Sequence, residues 1–375
     1  MFLMIAASSL LLANLYYSQP VLAVIANSLR IATDAAGSIV MAAQLGYIAG
    51  LLFLAPLGDV LENRKLCTLM TLGASLSALA SSLAANTSVF LIAVFLTGLF
   101  ATATQILVVF AVTLGGVERS GKILGIMACG LFLGIAASRP FSSFITGIMG
   151  WRAVYLISGA ALFACSAALF YKLPAIKPLA RQFNYVEVLL SLIRLIRHPG
   201  LIRNTAISSG TFFSFIMFWS CLPMYLSRNL GYSQNQVTIF TLAGLITPPC
   251  MLLVGKLLDR GLRKLLMLIG LLLIIIGWLI AVMLPNSIFI LVFAALLLDP
   301  CSSAVTVSIQ QKILSNSPLS IRGRLNSLNI SMNFLGGAAG GALGPWILGN
   351  FGLAPVVMAG TGLIFILLCL TATGK

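Results

Sequence analysis

The chain has 375 residues, of which 60% are hydrophobic and 8% charged, against about half apolar and a quarter charged in an ordinary soluble domain. Apolar runs of about 20 residues separated by short charged clusters exclude a water-soluble globular protein and give the pattern of repeated membrane crossing. The net charge is +15, from 22 Lys and Arg against 7 Asp and Glu, and the one histidine, His198 beside Pro199, leaves no His-based metal cluster, Ser-His-Asp triad or Cys-His dyad to build.

In chain order, apolar helices are predicted over 2–26, 35–57, 66–85, 88–113, 122–148, 153–173, 201–226, 234–256, 264–284, 288–311, 325–348 and 354–372. These twelve spans use most of the chain, so no soluble domain is expected. Met1 leads almost directly into the first span, which has neither a basic n-region nor a small-residue cleavage site, and it reads as a retained helix. The seven cysteines are scattered and nearly all lie in apolar runs, as packing residues do. Gly116 to Lys122 (GVERSGK) approaches a P-loop, but Ile123 replaces the magnesium-holding Ser or Thr and no βαβ context surrounds it, so it reads as a polar loop. No catalytic residue, metal site or cofactor is expected.

The basic excess sorts by side. Loops after even-numbered spans, with the C-terminus, carry 18 Lys and Arg (64, 65, 119, 122, 172, 177, 181, 194, 197, 203, 256, 260, 263, 264, 312, 322, 324 and 375), and the opposite loops carry three, Arg30, Arg152 and Arg228. By the positive-inside rule both termini are expected in the cytoplasm, and the +15 reads as orientation, with no nucleic-acid partner. One basic residue, Arg139, is left inside a span.

The chain also repeats itself at an offset near 200 residues. Thr33 begins a helix ending at Asp59 before Arg64 and Lys65; Ser233 begins one ending at Asp259 before Arg263 and Lys264. Arg119 with Gly121 and Lys122, and Arg322-Gly-Arg324, each introduce a Gly-rich helix. The expected organisation is a six-helix bundle over 1–174, a basic linker over 175–200 with a possible amphipathic surface helix from Tyr185 to Arg197, and a second bundle over 201–375.

Gly255-Lys-Leu-Leu-Asp259-Arg260-Gly261-Leu-Arg263-Lys264 resembles the GxxxDRxGRR-like turn of the major facilitator superfamily. The first-half copy is degraded, with Ala55, Val60 and Glu62 in place of glycine, arginine and glycine, and Asp59, Arg64 and Lys65 retained. Asn14-Leu-Tyr16-Tyr17-Ser-Gln19-Pro20, Gly150-Trp151-Arg152 and Leu298-Asp299-Pro300 extend the likeness, which points to a bacterial branch near the drug:proton antiporters. The resemblance implies an all-α membrane protein, twelve helices in two six-helix bundles, that exposes a midplane cavity alternately to each side. It implies a monomeric secondary transporter of the bacterial inner membrane, with a small-molecule substrate, the lipid bilayer as surroundings and a proton gradient as driving force. Proton-coupled efflux is the expected activity. A metabolite or siderophore importer of the same fold, or a transport-inactive receptor or scaffold, is the alternative.

Asp299 is the only acidic residue near the middle of a span, and helical spacing places Ser303, Thr306 and Gln310 on its face. Pro300 leaves the Leu296 carbonyl without its helical donor. A carboxyl in hydrocarbon favours its neutral form, so Asp299 is a candidate proton carrier, or else a structural hydrogen-bonding group. Arg139, before Pro140 where drug antiporters commonly have Gly-Pro, suits either an anion site or a gate-holding pair. Asn14, Tyr17 and Gln19, Gln44, Gln105, Trp219, and Asn329 with Asn333 are further candidates to line the cavity. The loop clusters suggest a cytoplasmic gate, with Asp59 paired to Arg322 or Arg324 and Asp259 to Arg119, beside Arg64, Lys65, Arg260, Arg263 and Lys264.

Overall fold

The computed structural model describes residues 1–115, 120–176, 201–283, 285–315, 317 and 321–373, and for Asp59 and Ser120 to Lys122 the backbone alone. Fifteen α-helices fall in these residues: α1 (Phe2–Ala13), α2 (Leu22–Ser28), α3 (Ser38–Phe53), α4 (Asn63–Leu83), α5 (Thr87–Ala101), α6 (Ala103–Gly115), α7 (Ser120–Met149), α8 (Trp151–Lys172), α9 (Leu201–Arg228), α10 (Gln234–Thr241), α11 (Thr247–Asp259), α12 (Arg263–Met283), α13 (Ile288–Ser315), α14 (Arg322–Phe351) and α15 (Leu353–Ala372). They make twelve membrane segments. Ten helical stretches are long and apolar enough to cross a bilayer. The other two are the first span, which is broken, and α14, whose asparagines and glycines dilute its apolar character.

Four predicted spans are not continuous helices; the second gives way after Phe53 to a 3₁₀ turn over Ala55–Asp59. The first stops at Ala13 and resumes at Leu22; Pro20 has no N–H to give, and the intervening backbone closes short turns such as Tyr16 to Ala13 and Gln19 to Tyr16. The fourth breaks at Thr102, whose hydroxyl donates to the Leu99 carbonyl at 2.6 Å. The eighth tightens into a 3₁₀ turn over Leu242–Ile246 just before Pro248 and Pro249 in α11. By contrast, Pro140, Pro300 and Pro345 are carried inside long helices.

Each half builds its bundle by the same pairings. α4 packs on α8 and α12 on α15, α3 on α5 and α11 on α13, and α1 on α7 and α9 on α14. Water does not drive helices together in lipid, so close approach and interhelical hydrogen bonds carry the association. Gly340 of α14 lies so close to α9 that an added Cβ would strike the Phe213 carbonyl, and Ser75 of α4 donates to the Gly159 carbonyl of α8 at 2.7 Å.

Between bundles, α3 meets α14 and α7 meets α10. Tyr47 stacks on Phe334 at 4.2 Å between ring centroids at mid-depth. Further inter-bundle contacts lie towards the side opposite the chain termini. Gly37 abuts Gly341, Ser143 and Gln234 bond across α7 and α10 at 3.0 Å, and Arg228 donates to Asn27 at 2.8 Å. The bundles are thus closed together on the far side. The predicted linker helix from Tyr185 to Arg197 lies outside the described residues.

Candidate functional site

Arg139 and Asp299, the two charges left inside spans, face one another across the bundle interface. Arg139 Nη1 lies 3.3 Å from Asp299 Oδ2, with the arginine side chain wholly buried and the aspartate 4% exposed. Both precede a proline within a long helix, and each proline leaves a carbonyl, of Ala136 and of Leu296, without its helical donor.

Each partner has a hydrogen bond within its own bundle. Arg139 Nε donates to Gln19 Oε1 at 3.0 Å, so the break in the first span supplies the residue that orients the guanidinium. Thr247 Oγ1, at the start of α11, donates to Asp299 Oδ1 at 2.8 Å. The ion pair itself is the longer, single-point link. Aromatic rings surround the guanidinium carbon, Trp219 at 4.2 Å, Phe215 at 4.9 Å and Tyr16 at 5.4 Å, and replace some of the hydration a buried cation loses. The 3₁₀ turn brings Gly244 over the pair; a Cβ there would sit 3.4 Å from Asp299 Oδ2 and 3.6 Å from Arg139 Nη1. The Trp219 indole approaches the Asp299 carboxylate, outside hydrogen-bond geometry.

A cavity of about 130 Å³ reaches from this pair towards the side of the termini. One wall is apolar, with Phe132, Ile135, Phe212 and Phe215; the other is the polar face of α13, with Ser302, Ser303, Thr306 and Gln310. The site therefore offers an amphiphilic slot ending on a neutralised charge pair.

Of the residues singled out in the sequence, Arg139, Asp299, Ser303, Thr306 and Gln310 line this cavity, and Gln19 and Trp219 hold Arg139. The rest lie elsewhere. Asn14 bonds Leu10 and Ser158 within the first bundle, Tyr17 packs on Phe141 and Tyr155, and Gln105 donates to the Tyr47 hydroxyl at 3.0 Å. Gln44 and Asn333 are buried away from the cavity, and Asn329 accepts from Thr205 in α9 at 3.5 Å. Tyr16, Phe132, Ile135, Phe212, Phe215, Gly244, Thr247 and Ser302 are among the site residues that the sequence did not single out. Phe212, Phe215 and Trp219 follow helical spacing on one face of α9, which is the signal that was available.

At the expected gate, Arg119 and the Asp59 side chain lie outside the described residues. Arg64 and Lys65 turn to Glu62 in their own loop, at 3.3 and 3.4 Å. Arg322 Nε donates to the Ser317 carbonyl at 2.9 Å, Arg263 is half-buried, and Asp259, Arg260, Lys264 and Arg324 are exposed.

Two six-helix bundles of like construction, closed on one side around a mid-depth cavity that ends on a buried charge pair, are the architecture of a membrane transporter. Residues 2–260 and 205–374 match the Major Facilitator Superfamily, and the chain belongs to that family. It is 33% identical over 360 residues to an uncharacterised transporter of Escherichia coli O157:H7, YgaY, covering 96% of this chain and 91% of that one. Among solved structures it is similar to the nucleoside transporter NupG, with a TM-score of 0.75 at 14% identity over 100% of this chain and 99% of that one. It is also similar to a bacterial homologue of the human lysosomal transporter Spinster, with a TM-score of 0.72 at 15% identity over 99% and 93% of the two chains.

Proposed function

We propose that this transporter is proton-coupled and that the Arg139–Asp299 pair is its coupling element. The observation that carries the reading is a fully buried ion pair whose two members belong to different bundles, each anchored to its own side. Protonating Asp299 removes the charge that binds the bundles at mid-depth and leaves Arg139 to be compensated by something else. Rocking about that point opens one side as the other closes. A receptor or scaffold has no use for such a pair, since breaking a buried ion pair costs about 3–5 kcal/mol. With both termini in the cytoplasm of a bacterial inner membrane, the cavity faces the cytoplasm and the closed side is periplasmic. Efflux is the direction that the likeness to drug:proton antiporters implies, and the solute is small and amphiphilic, to suit one aromatic and one hydroxyl-lined wall.

The test needs no substrate. Trp219 lies against Arg139 and reports on its partner, so its fluorescence in purified protein should change as Asp299 takes up a proton on lowering the pH. Trp219→Phe, which keeps the other three tryptophans, should remove the transition, and Asp299→Asn should abolish it. A transition that survives Asp299→Asn overturns the proposal.

A further inference from the structure

The pair as it stands is electrically neutral, yet its hydrogen-bonding capacity is not used up. Arg139 Nη2 and Gln19 Nε2 are both buried without a partner. Both are donors, and the assignment at Gln19 is fixed because its Oε1 accepts from Arg139 Nε. Arginine offers a planar fork suited to two carboxylate oxygens, and Asp299 engages it through one contact at 3.3 Å while its other oxygen is held by Thr247. The fork's second edge is therefore open to another acceptor.

Charge balance then limits which charged ligand can enter. A cation arriving beside Arg139 would leave the buried site with net positive charge, because Asp299 is the only carboxylate lining the cavity among the described residues. An anion arriving beside the intact pair would leave it net negative. An anion together with one proton on Asp299 keeps it neutral, with the new carboxylate taking the guanidinium that Asp299 releases. The aromatic and aliphatic wall formed by Phe132, Ile135, Phe212 and Phe215 suits an apolar body behind that carboxylate.

We infer that the substrate is a small organic monocarboxylate with an apolar body, bound to Arg139 and carried together with one proton taken up by Asp299. The inference rests on the coupling role proposed for the pair, and it changes the direction: proton and anion travel the same way, so the proton gradient drives uptake and not efflux. Benzoate and isovalerate serve as probes. The charged or ionisable groups facing Asp299 are Arg139 from α7 and the Tyr16 phenol from the break in the first span, with Tyr47 of α3 beyond it. Phenols titrate near 10 in water, above the range used.

Calorimetry in two buffers of different ionisation enthalpy should show binding of a carboxylate probe with uptake of about one proton per molecule bound. Above the titration of Asp299, affinity should fall about tenfold per pH unit, the slope for one linked proton. Asp299→Asn should bind the same probe with no proton uptake, independently of pH, and above the titration of Asp299 more tightly than the native protein. Arg139→Gln should lose binding, and Asp299→Asn remains decisive should that variant not fold. Benzamide and benzylamine are the neutral and cationic controls. Binding of neither carboxylate, binding without proton uptake, or preferential binding of benzylamine overturns the inference. A normal Trp219 titration with any of these results leaves the coupling role standing and removes the substrate class alone; loss of both removes the coupling role as well.

Discussion

The far-side closure turns on a glycine. Gly37, at the start of α3, faces α14 so closely that a Cβ added to it would strike the Gly341 carbonyl and lie 2.8 Å from the Ala342 carbonyl oxygen and 2.9 Å from its Cα. All three are backbone atoms, so no side chain can swing aside; either the bundles separate by several tenths of an ångström there or the state is lost. Inserting atoms into a packed contact costs about 1–3 kcal/mol. This cost falls only on the conformation in which α3 and α14 touch at that level. At about 1.4 kcal/mol per factor of ten, Gly37→Ala should shift the equilibrium between far-side-closed and far-side-open forms about 5- to 150-fold towards the open form. Spin labels at Arg30 and Asn229, both exposed on that side, in a protein freed of its seven native cysteines, would read the change as a longer inter-label population by pulsed electron resonance. A distance distribution identical to that of the parent protein would refute the claim that this contact seals the far side.

Three further expectations concern packing and charge. Arg139→Met and Asp299→Leu should each destabilise the protein by about 3–5 kcal/mol by leaving a buried charge unpaired, while the double variant recovers most of the loss; thermal melts that add for the two changes would deny that the pair is a unit. Gly340→Ala should lower the melting temperature clearly, because its Cβ would meet the Phe213 backbone, whereas Gly323→Ala, with open space around it, should not. Thr247→Val removes a 2.8 Å charge-assisted bond to Asp299, worth about 1.5–3 kcal/mol in a buried site, and should move the midpoint of the Trp219 titration by more than one pH unit; an unmoved midpoint would separate Thr247 from the coupling group.

Much of the architecture is legible in the residues, because a bilayer demands about 20 apolar residues per crossing and loops announce their side by Lys and Arg. The breaks are another matter. Pro20 and the Pro248-Pro249 pair interrupt apolar runs whose periodicity continues on both sides, and proline alone does not tell a break from a kink, as the unbroken helices through Pro140, Pro300 and Pro345 show. This is why Tyr17 stood out in the sequence when Tyr16 is the residue at the site: the non-helical turn after Ala13 rotates Tyr17 onto Phe141 and Tyr155 and leaves Tyr16 over Arg139. Asp299 and Arg139 stood out singly, since an ionisable group in hydrocarbon is conspicuous by its cost. Their partnership, 160 positions apart in sequence, depends on how two bundles dock, and local pattern carries no trace of that. Thr247 and Gly244 were invisible for the same reason, because a threonine and a glycine in an apolar run announce nothing until the 3₁₀ turn aims them at the pair.

The coupling claim is tested most directly by reading the bundles' separation against pH. With labels at Arg30 and Asn229, the distance distribution of the native protein should differ between high and low pH, as protonation of Asp299 releases Arg139. Asp299→Asn should give one distribution at both pH values. A variant that still responds to pH as the native protein does would place the proton elsewhere and contradict the account.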